Sequence, residues 1–353
     1  MRAPIFKINP LHPEEDKIRT ISKILLNGGL LIIPTDTVYG VAADKRNQKA
    51  VSRLYQIKQR SKDKPFSILI DNKENIEDFA SGIDKLGYKL IDRFWPGPLT
   101  LILKALDKQG SVGLRMPDNK ICLSLIAAVG GPLYCPSANL PGRPAPLDLD
   151  EAMKDLGDKV DGAIDGGKAR LGIESTVLDL TNKSYRIQRQ GALSKEAIEK
   201  LAQTRIVLFV CTGNSCRSVM AKAFLEKRLE QENRNNIEVI SAGILGIPNL
   251  GVSPETEEVL RKEAIIVEGH ISRQVTSIMI KKSDMVLVME KRHEERILEM
   301  VPEAKTKVFL LKEFANMQDS FLDIEDPIGR PVVFHEYTFS IIKEAINRIV
   351  KIL

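Results

Sequence analysis

The sequence predicts an α/β protein with two domains: a twisted mixed sheet with helices over residues 1–202, and a small parallel sheet with helices over residues 203–353. Three observations lead to this prediction. The chain has 353 residues, which is more than one ordinary hydrophobic core accommodates. Short apolar runs alternate with helical patterns. The alternation starts again at residue 205 without a Gly/Ser-rich linker, so we expect a short, fairly stiff joint.

The first domain should contain a mixed sheet, because apolar runs and helical patterns alternate along it. Apolar runs predict strands at 30–34, 67–70, 99–103, 132–135 and 176–180. Helical periodicity predicts helices at 13–27, 48–58, 84–94 and 194–202. Ser194 is predicted to be the N-cap of the last of these helices.

The second domain alternates strictly between strands and helices, which is typical of a parallel sheet. Strands are predicted at 205–210, 237–241, 284–289 and 307–311. Helices are predicted to begin near 218, at 254 and after 291, and a last helix to end at 353.

Composition excludes several classes of protein. Hydrophobic residues make up 43% of the chain and charged residues 28%, which indicates a soluble globular protein rather than a disordered or fibrous one. No apolar run reaches the roughly 18 residues of a membrane span, and the first residues lack the apolar core of a signal peptide. We therefore expect a cytoplasmic protein that does not contact a membrane.

Cysteine usage and charge point to thiol and phosphate chemistry. Four cysteines are too few for a disulfide scaffold, so thiol chemistry is expected at the close pair Cys211 and Cys216. The formal charge is +6 in residues 1–200 and −1 in residues 201–353. An excess of this size fits phosphate-bearing small molecules or weak RNA contact, and it falls short of the basic stripe of a dedicated nucleic-acid binder.

The strongest chemical signal is VCTGNSCRS at 210–218, which follows an apolar strand and precedes a helical pattern. A loop in this position points backbone N–H groups into one concavity, where they bind phosphate and stabilise a thiolate. Cys211 would be the nucleophile, and Arg217 would hold two phosphoryl oxygens with its planar fork of donors. Gly213 permits the tight turn, and Asn214 tolerates a left-handed backbone. The pattern therefore predicts a cysteine-dependent phosphatase.

This loop resembles the phosphate loop of the low-molecular-weight protein tyrosine phosphatases, and the resemblance covers 204–353. It implies a Rossmann-like fold, a phosphocysteine intermediate and no cofactor. It also implies that Asp326, in an Asp-Pro pair, protonates the leaving group. Val219 stands where the family usually has proline. The phosphate-loop residues that it implies are Thr212, Gly213, Asn214, Ser215, Cys216 and Ser218, of which the last donates to the thiolate.

Phosphoarginine and phosphotyrosine are both open as phosphatase substrates, and the resemblance favours phosphoarginine. Tyrosine-specific members place aromatic residues after the Asp-Pro pair, whereas Ile328 and Gly329 follow it here. Arginine phosphatases of the family carry a small hydroxyl residue, threonine, at the position of Ser215. Arsenate reductases with this fold need further cysteines downstream, and none follows Cys216.

Motifs in the first domain occur in the order of a second family. They are PTDTVYG (34–40), KQRSKDKP (58–65), WPGPLTLIL (95–103), GLRMPD (113–118), PSAN (136–139), GIESTVLD (172–179) and RQGAL (189–193). They resemble the YrdC-type threonylcarbamoyl-AMP synthases over roughly 10–200. The resemblance implies synthesis of threonylcarbamoyl-AMP from L-threonine, bicarbonate and ATP with Mg²⁺. The tRNA threonylcarbamoyl transferase machinery would then use this product to form t6A37.

Cations in separate loops of this domain fit a triphosphate and a carboxylate. On this resemblance the ATP-binding residues are Lys58, Arg60, Lys64, Ser137, Asn139 and Arg189, and the threonine-binding residues are Thr37, Arg115 and Ser175. No metal-ligating cluster is predicted. Lys64-Pro-Phe stands where the family commonly has Asn-Pro-Leu, and Pro141 replaces its usual serine, which leaves the fine placement of ATP open.

Each domain also admits a different class of function. The first could be a double-stranded-RNA-binding module with a concave basic surface, and the second a catalytically silent reader of phosphoproteins. The joint presence of Cys211, Arg217 and Asp326 argues against a silent reader, because a reader has no use for the acid. The sequence therefore favours a bifunctional enzyme whose second domain acts on phosphorylated proteins.

Overall fold

The computed structural model describes residues 2–106, 110–247 and 250–353. The chain folds into two compact units, Met1–Glu199 and Lys200–Leu353. Each unit has its own sheet and its own hydrophobic clusters. The predicted α/β class is confirmed.

The first unit is built on a mixed sheet. Its strands are β1 (Ile5–Lys7), β2 (Leu31–Ile33), β3 (Gly40–Asp44), β4 (Ile68–Leu69), β5 (Ala80–Ser81), β6 (Leu99–Ala105), β7 (Ser111–Arg115), β8 (Leu133–Tyr134), β9 (Gly162–Asp165), β10 (Thr176–Asp179) and β11 (Arg186–Arg189). Their order is β1-β9-β2-β3-β8-β4-β7-β6-β10-β11, with β5 paired to β6. The sheet contains parallel pairs, such as β6 with β10, and antiparallel pairs, such as β6 with β7, so the predicted mixed sheet is confirmed.

The helices up to residue 203, apart from the first, start at side-chain caps that the sequence supplies. They are α1 (Glu15–Leu26), α2 (Gln48–Ile57), α3 (Lys85–Phe94), α4 (Lys120–Val129), α5 (Leu149–Leu156) and α6 (Lys195–Gln203), with a 3-10 turn at Lys73–Asp78. Asn47, Asp84, Asn119 and Asp148 accept first-turn N–H groups of α2 to α5. Ser194 Oγ accepts the N–H of Ala197 at 3.2 Å, which confirms it as the cap of α6.

The second unit has a parallel sheet, as its strict alternation predicted. Its elements are β12 (Arg205–Cys211), α7 (Arg217–Gln231), β13 (Ile237–Gly243), α8 (Pro254–Lys262), α9 (Ser277–Lys282), β14 (Met285–Val288), α10 (Lys291–Met300), β15 (Val308–Leu310), α11 (Leu311–Phe314) and α12 (Val332–Ile349), with a 3-10 turn at Pro302–Thr306. The order is β13-β12-β14-β15. The last helix ends at Ile349, so the prediction that it continues to 353 is wrong.

Hydrophobic side chains fill both faces of each sheet, because successive residues of a strand point to opposite sides. In β2, Ile32 packs in one cluster, while Leu31 and Ile33 pack in the other. In β12, odd-numbered residues from Val207 to Cys211 pack on one face, and even-numbered residues pack on the other. All strands of the second sheet are parallel, so their carboxyl ends share one edge, and Cys211 lies at that edge.

Across the residues that the structure describes, none of the helices combines the length and the apolar character needed to cross a lipid bilayer.

Candidate active sites

The first unit contains a cavity of about 320 Å³ at the edge of its sheet. Nearly all of the side chains predicted to bind ATP and threonine line it, namely Thr37, Lys58, Arg60, Arg115, Ser137, Asn139, Ser175 and Arg189. Lys64 is not among its lining residues, and its side chain is exposed. The fold therefore brings together residues that lie in widely separated parts of the chain.

Arg115 holds one end of the cavity from the end of β7, and it is buried. Its Nε donates to the carbonyl of Gly97 at 3.0 Å, its Nη1 donates to Thr37 Oγ1 at 2.9 Å, and its Nη2 forms an ion pair with Asp36. Burial raises the pKa of Asp36, although the charge of Arg115 opposes this. Among the described residues, Asp36 Oδ2 has no hydrogen-bond partner. Sequence reasoning missed Asp36, although it lies inside the quoted PTDTVYG motif.

Lys58 follows α2 and reaches the loop after β8. Its Nζ donates to the carbonyl of Ser137 at 2.9 Å and to the carbonyl of Asn139 at 2.6 Å. It also donates to Asn139 Oδ1 at 3.0 Å. Burial lowers the pKa of Lys58 to about 8. The ammonium group is therefore held in place by neutral oxygens on the cavity wall.

Arg60 presents its guanidinium over an aromatic ring. Its Cζ lies 5.0 Å from the centroid of Phe66, and its Nε donates to the carbonyl of Lys64 at 2.6 Å. Lys64 thus supports Arg60 through its backbone in this structure. Its predicted role in binding ATP through the side chain stays a prediction.

Arg189, on β11, and Ser175, directly before β10, also line the cavity. Arg189 Nη2 donates to the carbonyl of Ser175 at 2.9 Å and to its Oγ at 3.1 Å. Arg189 also pairs with Glu174 at 2.6 Å. Ser175 Oγ lies 2.9 Å from Thr100 Oγ1, a cavity residue that the apolar run at 99–103 concealed. A buried threonine within an apolar run was the signal that could have identified it.

A glycine allows the cavity wall to close. A Cβ on Gly40 would lie 2.4 Å from Cys135 Sγ, which is closer than real Cβ contacts. Burial raises the pKa of the Cys135 thiol to about 12, so this cysteine packs as a neutral group. The PTDTVYG motif therefore ends in glycine because β3 passes directly against the strand-end loop at 135–136.

In the second unit, Cys211 lies at the carboxyl end of β12, inside the loop that leads into α7. The N–H of Asn214 points at Cys211 Sγ at 3.3 Å, and Ser218 Oγ lies 3.0 Å from it. Asn214 Nδ2 in turn donates to Ser218 Oγ and to Ser241 Oγ, each at 3.0 Å. These donors surround the sulfur as a thiolate would require.

The backbone of this loop differs from the prediction at one glycine. Asn214 adopts a left-handed conformation with φ of 56°, as expected. Gly213 does not, and a Cβ added there would meet Ser215 Oγ only at 3.7 Å. The glycine that the loop needs is Gly243 on β13, whose added Cβ would lie 2.6 Å from the carbonyl oxygen of Thr212. Gly243 is distant in the sequence, so the motif did not reveal it.

Cys216 is buried at the N-cap of α7, and its thiol lies next to serine hydroxyls. Its Sγ lies 3.4 Å from Ser253 Oγ and 3.6 Å from Ser215 Oγ. The four cysteines, including Cys211, are free thiols.

Arg217 is fully buried (0% exposed) and is held by both charged and neutral acceptors. Its Nη1 pairs with Glu290 and donates to the carbonyl of Ile324 at 2.7 Å. Its Nη2 pairs with Asp326 and donates to Thr212 Oγ1 at 3.0 Å. Among the described residues, Nε has no partner. The predicted cation and acid therefore pair directly, although Asp326 is 109 residues from Arg217 in sequence.

Sequence reasoning missed Glu290, Arg292 and His293, which begin α10 next to the loop. Glu290 bonds Arg292 Nε at 2.8 Å as well as Arg217. Burial raises the pKa of Glu290, but its hydrogen bonds to the two arginines outweigh this and leave the pKa below its ordinary value. His293 is fully buried, and burial together with the charge of Arg217 lowers its pKa to about 4. The run MEKRH after a buried strand was the available signal.

A second cavity, of about 440 Å³, opens beside Asp326. Its wall is rich in carboxylates: Glu290, Asp319, Asp323, Glu325 and Asp326. Lys312 pairs with Asp319, and Arg330 pairs with Glu325 at 3.2 Å, so both cations in the wall are neutralised locally. The five carboxylates of the wall outnumber its two cations, and two of the five, Glu290 and Asp326, pair with Arg217.

The two arrangements define a protein class: an enzyme with two units, one with a cationic, hydroxyl-lined cavity and one with a thiol in a phosphate loop. Residues 23–191 match the family model Sua5_yciO_yrdC, described as telomere recombination. Residues 206–353 match the model for low molecular weight phosphotyrosine protein phosphatase. The chain therefore belongs to the Sua5/YciO/YrdC family, and it joins that domain to a low-molecular-weight phosphatase domain.

Relatives of the first unit carry consistent names. The threonylcarbamoyl-AMP synthase of Pyrococcus abyssi is 39% identical over 53% of this chain and 58% of the relative. A putative threonylcarbamoyl-AMP synthase of Methanocaldococcus jannaschii is 37% identical over 58% of this chain and 99% of the relative. The solved P. abyssi Sua5 complexed with L-threonine aligns with a TM-score of 0.54 and 28% identity, covering 70% of this chain and 93% of that chain.

The chain spans under three fifths of the length of some relatives. The coverage is 58% for the P. abyssi synthase and 57% for the Bacillus subtilis synthase. The similarity therefore supports a Sua5-type threonylcarbamoyl-AMP synthase domain in this chain.

Proposed function

We propose that the first unit forms threonylcarbamoyl-AMP from L-threonine, bicarbonate and ATP, for transfer to adenosine 37 of tRNA. The observation that carries this proposal is the cavity of about 320 Å³, whose wall combines Lys58, Arg60, Arg115 and Arg189 with short hydroxyl side chains. Four cationic side chains on separate segments suit a ligand with several negative charges, such as a triphosphate together with a carboxylate. The product is a reactive mixed anhydride, so a transferase that acts on tRNA must consume it.

In this reaction the amine of threonine combines with bicarbonate to give an N-carboxylate. An oxygen of the carboxylate attacks the α-phosphorus of ATP, and pyrophosphate leaves. The cations would neutralise the phosphoryl oxygens of the in-line transition state, so no side-chain nucleophile is needed. Arg115 and Thr37, whose side chains are 2.9 Å apart, are suited to hold the threonine, the ligand described for the P. abyssi protein.

ATP would bring Mg²⁺ into this cavity. Among the described residues, no group of three or more His, Cys, Asp or Glu side chains could hold a metal ion. Glu174 is the carboxylate in the cavity wall, and it pairs with Arg189. This donor set fits an ion held mainly by the phosphates and by water, where it would add further charge neutralisation.

The test is to incubate the purified chain with ATP and to measure pyrophosphate and threonylcarbamoyl-AMP. Omission of threonine or bicarbonate is the control. Pyrophosphate release that depends on both compounds is expected. Release of the same amount without threonine would refute the proposal, and RNA binding with steep salt dependence but no ATP consumption would favour the RNA-binding alternative.

For the second unit we propose hydrolysis of phosphorylated proteins through a phosphocysteine. The thiolate of Cys211 attacks phosphorus, the bond to the leaving group breaks, and Asp326 gives its proton to the leaving atom. Water then attacks the phosphocysteine and returns a proton to Asp326, which releases phosphate. The observation that carries this proposal is the set of donors around Cys211 Sγ, namely the N–H of Asn214 at 3.3 Å and Ser218 Oγ at 3.0 Å.

The acidic cavity beside Asp326 supports phosphoarginine over phosphotyrosine. The guanidinium of phosphoarginine carries positive charge on its distal nitrogens, and carboxylates of the cavity wall such as Asp323 would attract it. The neutral ring of phosphotyrosine gains nothing from them. Ile328 and Gly329 also provide no aromatic ring for stacking next to the acid.

Parallel assays on one peptide sequence that carries either phosphoarginine or phosphotyrosine test the substrate. We expect a higher kcat/KM for the phosphoarginine peptide, and an advantage that shrinks as salt screens the cavity. A higher value for the phosphotyrosine peptide would assign the unit to the tyrosine-specific group.

A further inference from the structure

The side chain of His293 has one defined tautomer. It is fully buried in the first turn of α10, and its Nδ1 accepts the N–H of Glu290 at 3.1 Å. A nitrogen that accepts a hydrogen bond carries no hydrogen, so the proton of the neutral ring lies on Nε2. Burial and Arg217 lower the pKa of His293 to about 4, so the ring is neutral at ordinary pH.

The Nε2–H of His293 donates to Thr212 Oγ1 at 3.0 Å. The same oxygen accepts Arg217 Nη2 at 3.0 Å and Arg292 Nη2 at 3.1 Å. A hydroxyl oxygen has two lone pairs, so these three N–H groups share it, and together they restrict where it can lie. Thr212 is thus held as a neutral acceptor for the guanidinium of Arg217, and the buried ring of His293 is one of the groups that hold it.

Neutral acceptors are important for the orientation of Arg217, because its ion pairs with carboxylates cannot persist unchanged once a phosphoryl group binds. Glu290 and Asp326 both pair with Arg217, and each would repel an incoming phosphoryl dianion. The carbonyl of Ile324 on Nη1 and the hydroxyl of Thr212 on Nη2 carry no charge. These two acceptors can keep the guanidinium in place while the phosphoryl group replaces the carboxylates as its partner.

We propose that His293 is a positioning residue of the phosphatase, which acts through the hydroxyl of Thr212 to fix the guanidinium of Arg217. This inference rests on the proposed phosphatase function. His293 does not touch the reacting atoms; it sets the orientation of a group that does. Because the guanidinium binds the transition state more tightly than the substrate, its loss of orientation reduces kcat more than it raises KM.

Two substitutions separate this role from simple helix capping. In His293→Asn, the amide oxygen can replace Nδ1 as acceptor for the N–H of Glu290, but no donor reaches Thr212. In His293→Gln, the amide nitrogen can replace Nε2, but the cap is lost. Thr276→Ala is the matched control, because Thr276 Oγ1 caps α9 by accepting the N–H of Met279 at 3.2 Å and does not line the phosphate loop.

The assay is hydrolysis of p-nitrophenyl phosphate by the full chain, with thermal unfolding in parallel. We expect kcat of His293→Asn to fall about tenfold or more with a nearly unchanged Tm, since a hydrogen bond that supports a charged group is lost. His293→Gln should keep more activity than His293→Asn at a lower Tm. Thr276→Ala should lower Tm and leave kcat unchanged.

A double-mutant cycle provides an independent reading. The kcat of Thr212→Val should be about tenfold or more below the kcat of Thr212→Ser, which keeps the hydroxyl. Adding His293→Asn to Thr212→Val should lower kcat little further. The comparison of Thr212→Val with Thr212→Ser can be made even where His293→Asn fails to fold. Equal kcat for Thr212→Val and Thr212→Ser, fully additive effects, or wild-type kcat in His293→Asn would each overturn the positioning role. A wild-type chain without phosphatase activity would instead refute the proposed function itself.

Discussion

Substitution of Glu290 by Gln removes a negative charge beside Arg217, and it replaces the carboxylate oxygen that pairs with Arg292 by an amide nitrogen. The amide keeps an oxygen that can accept from Arg217 Nη1, and it has nearly the shape of the carboxylate. What it removes is one negative charge next to the guanidinium that is proposed to receive the phosphoryl group. Glu290 side-chain exposure is only 15%, so solvent screens this charge incompletely.

The magnitude follows from Coulomb's law. A carboxylate and a phosphoryl dianion on the two sides of one guanidinium are about 6 Å apart, and they repel by about 1.4 kcal/mol even at the dielectric constant of water. A partly buried site has a lower effective dielectric constant, so the repulsion there is larger. Since about 1.4 kcal/mol is a factor of ten, the KM of Glu290→Gln should fall about tenfold or more.

Steady-state kinetics with p-nitrophenyl phosphate at two ionic strengths measure this change. The control is Glu294→Gln on the same helix, because Glu294 pairs with Lys291 and not with Arg217. Glu294→Gln should leave KM within about twofold of the wild type. A KM of Glu290→Gln that is unchanged or raised would refute the reasoning, because Glu290 would then orient Arg217 rather than compete with substrate.

The same carboxylate makes stability depend on pH. The folded-state pKa of Glu290 lies below its ordinary value, so the unfolded chain binds the proton more tightly. The stabilisation is therefore present above the unfolded pKa of about 4.5 and is lost as pH falls through the folded value. Unfolding midpoints between pH 6 and 3 should fall less steeply for Glu290→Gln than for the wild type.

Three further outcomes are expected. Arg60→Ala or Arg115→Ala should abolish threonine-dependent pyrophosphate release while phosphatase turnover continues, because the two sites belong to separate cores; release that survived in both variants would contradict the assignment of these cations. Asp326→Asn should slow phosphoenzyme formation most for poor leaving groups, since a good leaving group needs little protonation; equal slowing across a leaving-group series would move the acid role to another residue. Gly40→Ala should destabilise the first unit by about 1–3 kcal/mol, because its Cβ would lie 2.4 Å from Cys135 Sγ; a wild-type urea midpoint would show that the strand moves aside.

The sequence predicted the second unit better than the first. Its strands are runs of large apolar residues such as 205–210, and each one contributes to the parallel sheet. In the first unit β3 and β9 were missed, since GVAAD and GAID consist largely of small residues with no clear period. Both strands are buried by neighbouring parts of the fold, and a strand buried in this way need not show alternating polar and apolar residues in its sequence.

The sequence also predicted those functional residues whose partners are only a few positions away in the chain. Cys211, Asn214 and Arg217 lie on one short segment that leads from a strand through a loop into a helix, so their spacing alone implies a shared anion site. Likewise, the cations at 58 and 60 were identified from a single motif. That the side chain of Lys64 lies off the cavity wall could not be foreseen, because backbone direction within the loop at 61–65 decides it.

Only the tertiary structure decided which groups surround these residues. Glu290 and Asp326 are 73 and 109 residues from Arg217, and they meet it because parallel strands end at one edge of the sheet. The same edge brings His293 to Thr212 and places Gly243 against the phosphate loop. Sequence thus determined which side chains can bind phosphate and attack it. The sheet determined the charge, the burial and the hydrogen bonds under which they act, because these depend on residues that are close in space and far apart in the chain.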